Sequence, residues 1–183
     1  MRNQWLPDRF VLDLDPDPTL PWKSIAEAAT LTRTLLDELG LRSFCKTSGG
    51  NGLHVVVPLK PERDWTGVKA FALDIARQLG RVIPQRFVSV SGPRNRVGKV
   101  FVDYLRNGRG ATTVAAFSVR ARPGLAVSVP VAWDEIDDLD GADQCSMAGV
   151  VARQRALASD PWRDYWCTAQ LITEAMYRAL GAT

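Results

Sequence analysis

Apolar and polar residues alternate at the start of the chain. Phe10, Leu12 and Leu14 fall on one parity, Val11, Asp13 and Asp15 on the other. Residues two apart share a face of a β-strand, so this run predicts a strand whose Phe-Leu-Leu side is turned to a core. From Pro21 the period lengthens. Trp22, Ile25, Ala28, Ala29, Leu35, Leu36 and Leu39 recur at helical spacing over residues 21–39, with Pro21 at the first position and Gly40 as a C-terminal cap. Residues 43–47 and 53–57 read as strands on either side of Ser48-Gly49-Gly50-Asn51-Gly52. A second helix is predicted over 65–79: Asp64 can cap it, and Trp65, Val68, Phe71, Ile75 and Leu79 line one face. Pro84 and Ser91-Gly92-Pro93 break the chain before a strand-like run from Lys99 to Leu105. Residues 112–133 are β-prone and interrupted by Pro123-Gly124, which predicts two strands joined by a turn. A last helix is expected over 160–181, with Trp162, Tyr165, Trp166, Ala169, Ile172, Met176 and Leu180 as an apolar, core-packing face. The order β-α-β-β-α-β predicts an α+β fold, a mainly antiparallel sheet with helices packed on one face.

Composition changes this picture little. The chain has 183 residues, 46% hydrophobic and 23% charged, which suits one globular domain with a real core. No apolar run approaches the ~20 residues of a membrane helix. The start is polar and soon reaches Pro7-Asp8-Arg9, which argues against a secretory signal. Cys45, Cys145 and Cys167 are widely spaced and match no zinc or disulfide pattern, so reduced thiols in a cytoplasmic protein are expected. The net charge of +3 matters less than its distribution. Arg81, Arg86, Arg94, Arg96, Lys99, Arg106, Arg109, Arg120 and Arg122 share their stretch with one acid, Asp103. A lone carboxylate in a basic field suits a polyanion site, although a solvated basic face has the same signature. Asp134 to Asp143 is acidic without a Lys or Arg and reads as a solvated loop after a short helical turn.

Candidate chemistry begins with Asp13 and Asp15. Two carboxylates on one strand face repel unless water or a cation lies between them. Asp103, in the run Lys99–Leu105, can join them if the two strands are neighbours, and such oxygen ligands suit Mg²⁺. Asp-x-Asp alone equally fits a strand end running into the turn Asp15-Pro16-Asp17-Pro18, to which Asp17 is assigned. The glycines of Ser48–Gly52 would let backbone N–H groups approach a phosphate, with Ser48 adding a hydroxyl. A P-loop is excluded, because its lysine and following helix are missing, and Asn-Gly also fits a plain β-hairpin. His54, the single histidine, follows this loop; an imidazole there can be structural or can reach a triphosphate. Arg120 and Arg122, two apart, would share a strand face and could clamp phosphate bidentately, or simply be exposed.

Together these blocks resemble the polymerase module of bacterial end-joining ligase D, in the archaeo-eukaryotic primase superfamily. The matching segments are Phe10-Val11-Leu12-Asp13-Leu14-Asp15-Pro16, Lys46 to Val55, Gly98 to Thr112, Ser118 to Gly124, and Val129 to Glu135. They run in the family's order from about Leu6 to Trp162. The resemblance implies a primase-type catalytic core on an RRM-like antiparallel sheet. It implies a nucleotidyltransferase that adds NTPs or dNTPs to a 3′-hydroxyl at a DNA break. It assigns Asp13, Asp15 and Asp103 to catalytic Mg²⁺ or Mn²⁺. Ser48, Gly49, Asn51 and His54 fall in its triphosphate-contacting element, and Arg120 and Arg122 match its paired arginines. DNA ends or gapped DNA, nucleoside triphosphates, a Ku protein and a DNA ligase are the implied partners, with no membrane.

Two departures qualify the match. Many relatives carry Lys where this chain has Asn51, and Asn brings no positive charge. The family module also has a substantial segment before the acidic pair, which carries groups that hold the template. The expectation is therefore a truncated domain: a fragment, half of a split enzyme, or a shortened relative whose uncovered apolar surface favours self-association. The rival readings are a nucleic-acid-binding remnant without catalysis and a metal-dependent phosphohydrolase using the same carboxylates.

Overall fold

The computed structural model describes residues 6–181. Among them one sheet has six strands in the order β4 (Phe87–Val88), β5 (Val100–Asp103), β1 (Arg9–Pro16), β3 (Leu53–Pro58), β2 (Phe44–Thr47), β6 (Pro130–Val131). The β4–β5 pair is parallel and every other pairing is antiparallel. The mixed α+β architecture with a mainly antiparallel sheet is the one predicted.

Helices α1 (Trp22–Glu38) and α2 (Trp65–Val82) cover one face of this sheet. Their apolar stripes meet Phe10, Leu12 and Leu14 of β1, Leu53, Val55 and Val57 of β3, and Val100 and Val102 of β5. Phe10 and Phe71 are fully buried and pack edge to face with centroids 5.9 Å apart. Emptying either position would cost on the order of 3–5 kcal/mol. Helix α1 stops because Gly40 adopts φ 74°; its N–H then bonds Asp37 O, and Leu41 N–H reaches back to Leu36 O at 2.8 Å. Leu36 and Leu41 are buried together, which completes a Schellman ending. Helix α2 is capped by Asp64, whose side chain accepts from Gly67 N–H. It continues to Val82, three residues past the predicted end, until the approach to Pro84 stops it.

Two expectations fail at the C-terminal side. Residues 160–181 are not one helix. They form a turn, a 3-10 segment at Tyr165–Cys167, an extended stretch, and α4 (Glu174–Ala179). Tertiary bonds overrule helical periodicity here. Gln170 accepts from Arg42 N–H and donates to Arg42 O and Pro58 O, and Leu59 and Gln170 form a parallel bridge. The 112–133 hairpin is reduced to one bridge, Val119 with Val127, and the two residues of β6. Phe117 at φ 64° and Leu125 at φ 47° leave the extended region on either side of that bridge, which prevents a regular ladder. The acidic stretch is partly structural. A 3-10 segment at Trp133–Asp138 buries Ile136, and Glu135 pairs with Arg153 on α3 (Met147–Ala156).

The second face of the sheet is divided. Val11, Phe44 and Val56 form a small apolar patch covered by Trp162 and Tyr165. Asp13, Asp103, His54 and Lys46 continue the same face as a polar row.

Candidate active site

Strand register builds the polar row. Asp103 of β5 is opposite Asp13 of β1, Asp13 is opposite His54 of β3, and His54 is opposite Lys46 of β2. Four consecutive strands thus present acid, acid, imidazole and amine side by side. Asp15 lies two residues along β1 on the same face. Asp17 keeps the turn role assigned to it, accepting from Thr19 and from Gly98 N–H.

Each carboxylate turns to a protein partner. Asp15 pairs with Arg96. Asp103 accepts from Leu105 N–H at 2.8 Å and pairs with Arg106 at 3.0 Å. Asp13 lies 3.4 Å from His54 Nε2. Among the described residues, no three His, Cys, Asp or Glu side chains are arranged to hold a metal ion. Asp13, Asp15 and Asp103 nevertheless share one face of the neighbouring strands β1 and β5. By chemistry and strand position the donor set still fits a hard divalent cation. Asp13 and Asp103 face each other with like charge, and burial, aided by Asp13, lifts Asp103 above the ordinary carboxylate value despite Leu105 and Arg106. Burial also pushes Asp13 upward, but the hydrogen bond from His54 and the charges of Arg106 and Lys46 outweigh it and hold Asp13 low. Burial depresses His54 despite Asp13, so the imidazole is neutral at pH 7.

The Ser48–Gly52 loop is a hairpin turn between β2 and β3, with Ser48 N–H bonded to Gly52 O. The amides of its three glycines are already bonded within the protein. Gly50 and Gly52 N–H both bond Ser48 Oγ, and Gly49 N–H bonds Ala142 O. At Gly49 the structure shows a need for space rather than an open amide. A Cβ on Gly49 would stand 2.7 Å from the Arg120 side chain, and one on Gly50 would stand 2.8 Å from Arg122 Nη1. The two arginines lie over the loop although they do not share a strand. Ser48 Oγ receives two amide bonds and keeps its own proton for a further acceptor. A polar cleft of about 540 Å³ joins Asp13, Asp15, Ser48, His54, Arg120 and Arg122, and exposed Asn51 is on its rim. A second cleft of about 620 Å³ runs beside it along the apolar patch, past Phe117 and Trp162.

Sequence reasoning missed several of these residues. Lys46 and His54 are equidistant from Gly50, so a hairpin reading already pairs them. Arg106 is three residues from Asp103 and follows a strand end. Asn107 left no local signal. Its side chain accepts from Val11 N–H at 2.7 Å and donates to Val11 O at 2.8 Å, replacing the strand partner that β5 no longer supplies.

The family model described as "LigD, primase-polymerase domain" matches residues 1–162. The chain belongs to this family. It is 61% identical over 182 residues to the multifunctional non-homologous end joining protein LigD of Pseudomonas aeruginosa, covering 99% of this chain and 22% of that protein. The bifunctional LigD of Bacillus subtilis is 30% identical over 131 residues, 71% of this chain and 21% of its own length. Among solved structures, the polymerase domain of Mycobacterium tuberculosis ligase D in complex with DNA superposes with a TM-score of 0.81 at 33% identity. That match covers 90% of this chain and 57% of the other. The chain spans about a fifth of the length of these LigD proteins.

Proposed function

We propose that this chain catalyses metal-dependent nucleotidyl transfer, adding nucleotides from NTPs or dNTPs to a DNA 3′-hydroxyl with release of pyrophosphate, in the end joining of double-strand breaks. One observation carries the reading: Asp13 and Asp103 face each other across β1 and β5, on the sheet face that opens into the cleft of Ser48, His54, Arg120 and Arg122. Asp13, Asp15 and Asp103 are the residues that would hold Mg²⁺ or Mn²⁺, which when bound acidifies the attacking hydroxyl and steadies the pyrophosphate leaving group. The remaining work belongs to the protein. Arg120 and Arg122 bind the triphosphate as guanidinium forks, Ser48 donates its hydroxyl proton, and His54 adds a neutral donor. The apolar-walled cleft has room for the base and the neighbouring strand. DNA ends or gapped DNA are the substrate, with Ku and a DNA ligase as partners in the same repair.

The test is primer extension by the purified chain on gapped and overhanging DNA with Mn²⁺ and NTPs or dNTPs. Extension that falls at least about a hundredfold in Asp13→Ala and Asp103→Ala supports the reading. A second reading, a DNA-binding remnant without catalysis, is favoured by the pairing of Asp15 with Arg96 and of Asp103 with Arg106. DNA binding without extension would select it.

A further inference from the structure

We infer that Lys46, anchored by Ser128, fixes the tautomer of His54, keeping the ring proton on Nε2 so that the imidazole faces Asp13 and the polar cleft as a hydrogen-bond donor. The functional consequence rests on the nucleotidyl-transfer reading; the tautomer rests on the hydrogen-bond geometry together with a protonated Lys46 beside a neutral ring.

The hydrogen-bond chain runs in one direction. Ser128 Oγ donates its only proton to Thr47 O at 2.6 Å, so toward Lys46 it can only accept. Lys46 Nζ donates to it at 2.9 Å and lies 3.0 Å from His54 Nδ1. An ammonium has no lone pair, so Nδ1 must be the acceptor and the proton of the neutral ring must be on Nε2. That nitrogen is the one near Asp13. All the links are rigid: Lys46, His54 and Ser128 are at most 4% exposed, and Lys46 and His54 are held in register on paired strands. Burial brings Lys46 down to about 8, which leaves it mainly protonated at pH 7.

A ring fixed in this form cannot ligate a cation through Nε2. It donates to Asp13, or to a phosphate oxygen that arrives beside it, without carrying a charge of its own. Lys46 is thus a positioning residue. It stands behind His54, and its role is to decide which end of the imidazole meets the substrate. A buried lysine with only a packing role would leave the tautomer indifferent to its replacement.

The single histidine makes the experiment direct, because labelling with ¹⁵N-histidine gives one pair of ring nitrogens. At pH 7 the chain should show a protonated Nε2 and an unprotonated Nδ1. Lys46→Met, close in volume but without a donor, leaves only the Asp13 contact to favour a proton on Nε2 and should admit a measurable fraction of the other tautomer, and Lys46→Arg should restore the first. ATP binding in the presence of Mn²⁺ should weaken about tenfold in Lys46→Met. A wild-type proton on Nδ1 overturns the inference whether or not any variant folds. So does a folded Lys46→Met protein with an unchanged ring. If the tautomer responds to Lys46 but the wild-type chain binds no nucleotide, the inference about Lys46 stands and the nucleotidyl-transfer reading falls.

Discussion

Neighbouring residues of β2 carry opposite pH signatures. Burial lowers Lys46 from 10.5 to about 8, against the pull of Asp13. Between those values the unfolded chain binds a proton that the folded chain has released, so stability rises with pH through that window. Burial raises Cys45 from 9.0 to about 12. Above pH 9 the unfolded thiol ionises while the folded one cannot, so stability is lost there as pH rises. Comparing wild type with Lys46→Met isolates the first effect, because both keep Cys45. Denaturant unfolding at pH 7.5 and 10 should show the wild type gaining on the variant by on the order of 2 kcal/mol. A steric prediction concerns Gly52, where a Cβ would collide with the carbonyl oxygen of Leu14. Gly52→Ala should cost about 1–3 kcal/mol in thermal unfolding, since the backbone of β1 cannot retreat without disturbing the core. The need for glycine in this loop was legible in the sequence. Its cause was not, because the atoms that fill the space come from β1, Arg120 and Arg122.

Among the elements, α1, α2 and the central strands follow their local periods closely, since each buries a continuous apolar stripe. The segment after Asp160 does not. Its aromatic residues close the second face of the sheet: Trp162 stacks on Tyr165 with centroids 4.8 Å apart and donates its indole N–H to Cys45 O at 2.8 Å. Phe44 packs edge-on against both rings. Trp162→Ala should therefore destabilise the chain by about 2–4 kcal/mol. It should also expose Val11, Phe44 and Val56, seen as increased binding of a hydrophobic dye. The rings over the Val11–Phe44–Val56 patch and the Gln170 bonds to Arg42 and Pro58 outweigh the local period, which is why a convincing apolar period gave the wrong element.

Across the whole molecule, the basic stretch is less free than its composition suggests. Arg86 pairs with Glu27, Arg96 with Asp15 and Arg106 with Asp103. Arg120 and Arg122 remain at the mouth of the polar cleft. Binding to gapped DNA should weaken about tenfold to a hundredfold between ~50 and ~200 mM salt, as released counterions require for a few phosphate contacts. The sequence alone determined the acidic strand, the glycine hairpin and the two core helices, because those patterns depend on backbone periods of two and 3.6 residues. It also determined the family, through the order of its motifs. Only the tertiary structure decided that Arg96 and Arg106 hold the carboxylates, that Lys46 stands behind His54, and that Asn107 replaces a missing strand. Such partnerships follow from strand register and burial, which bring together residues far apart in the chain and leave no local period behind.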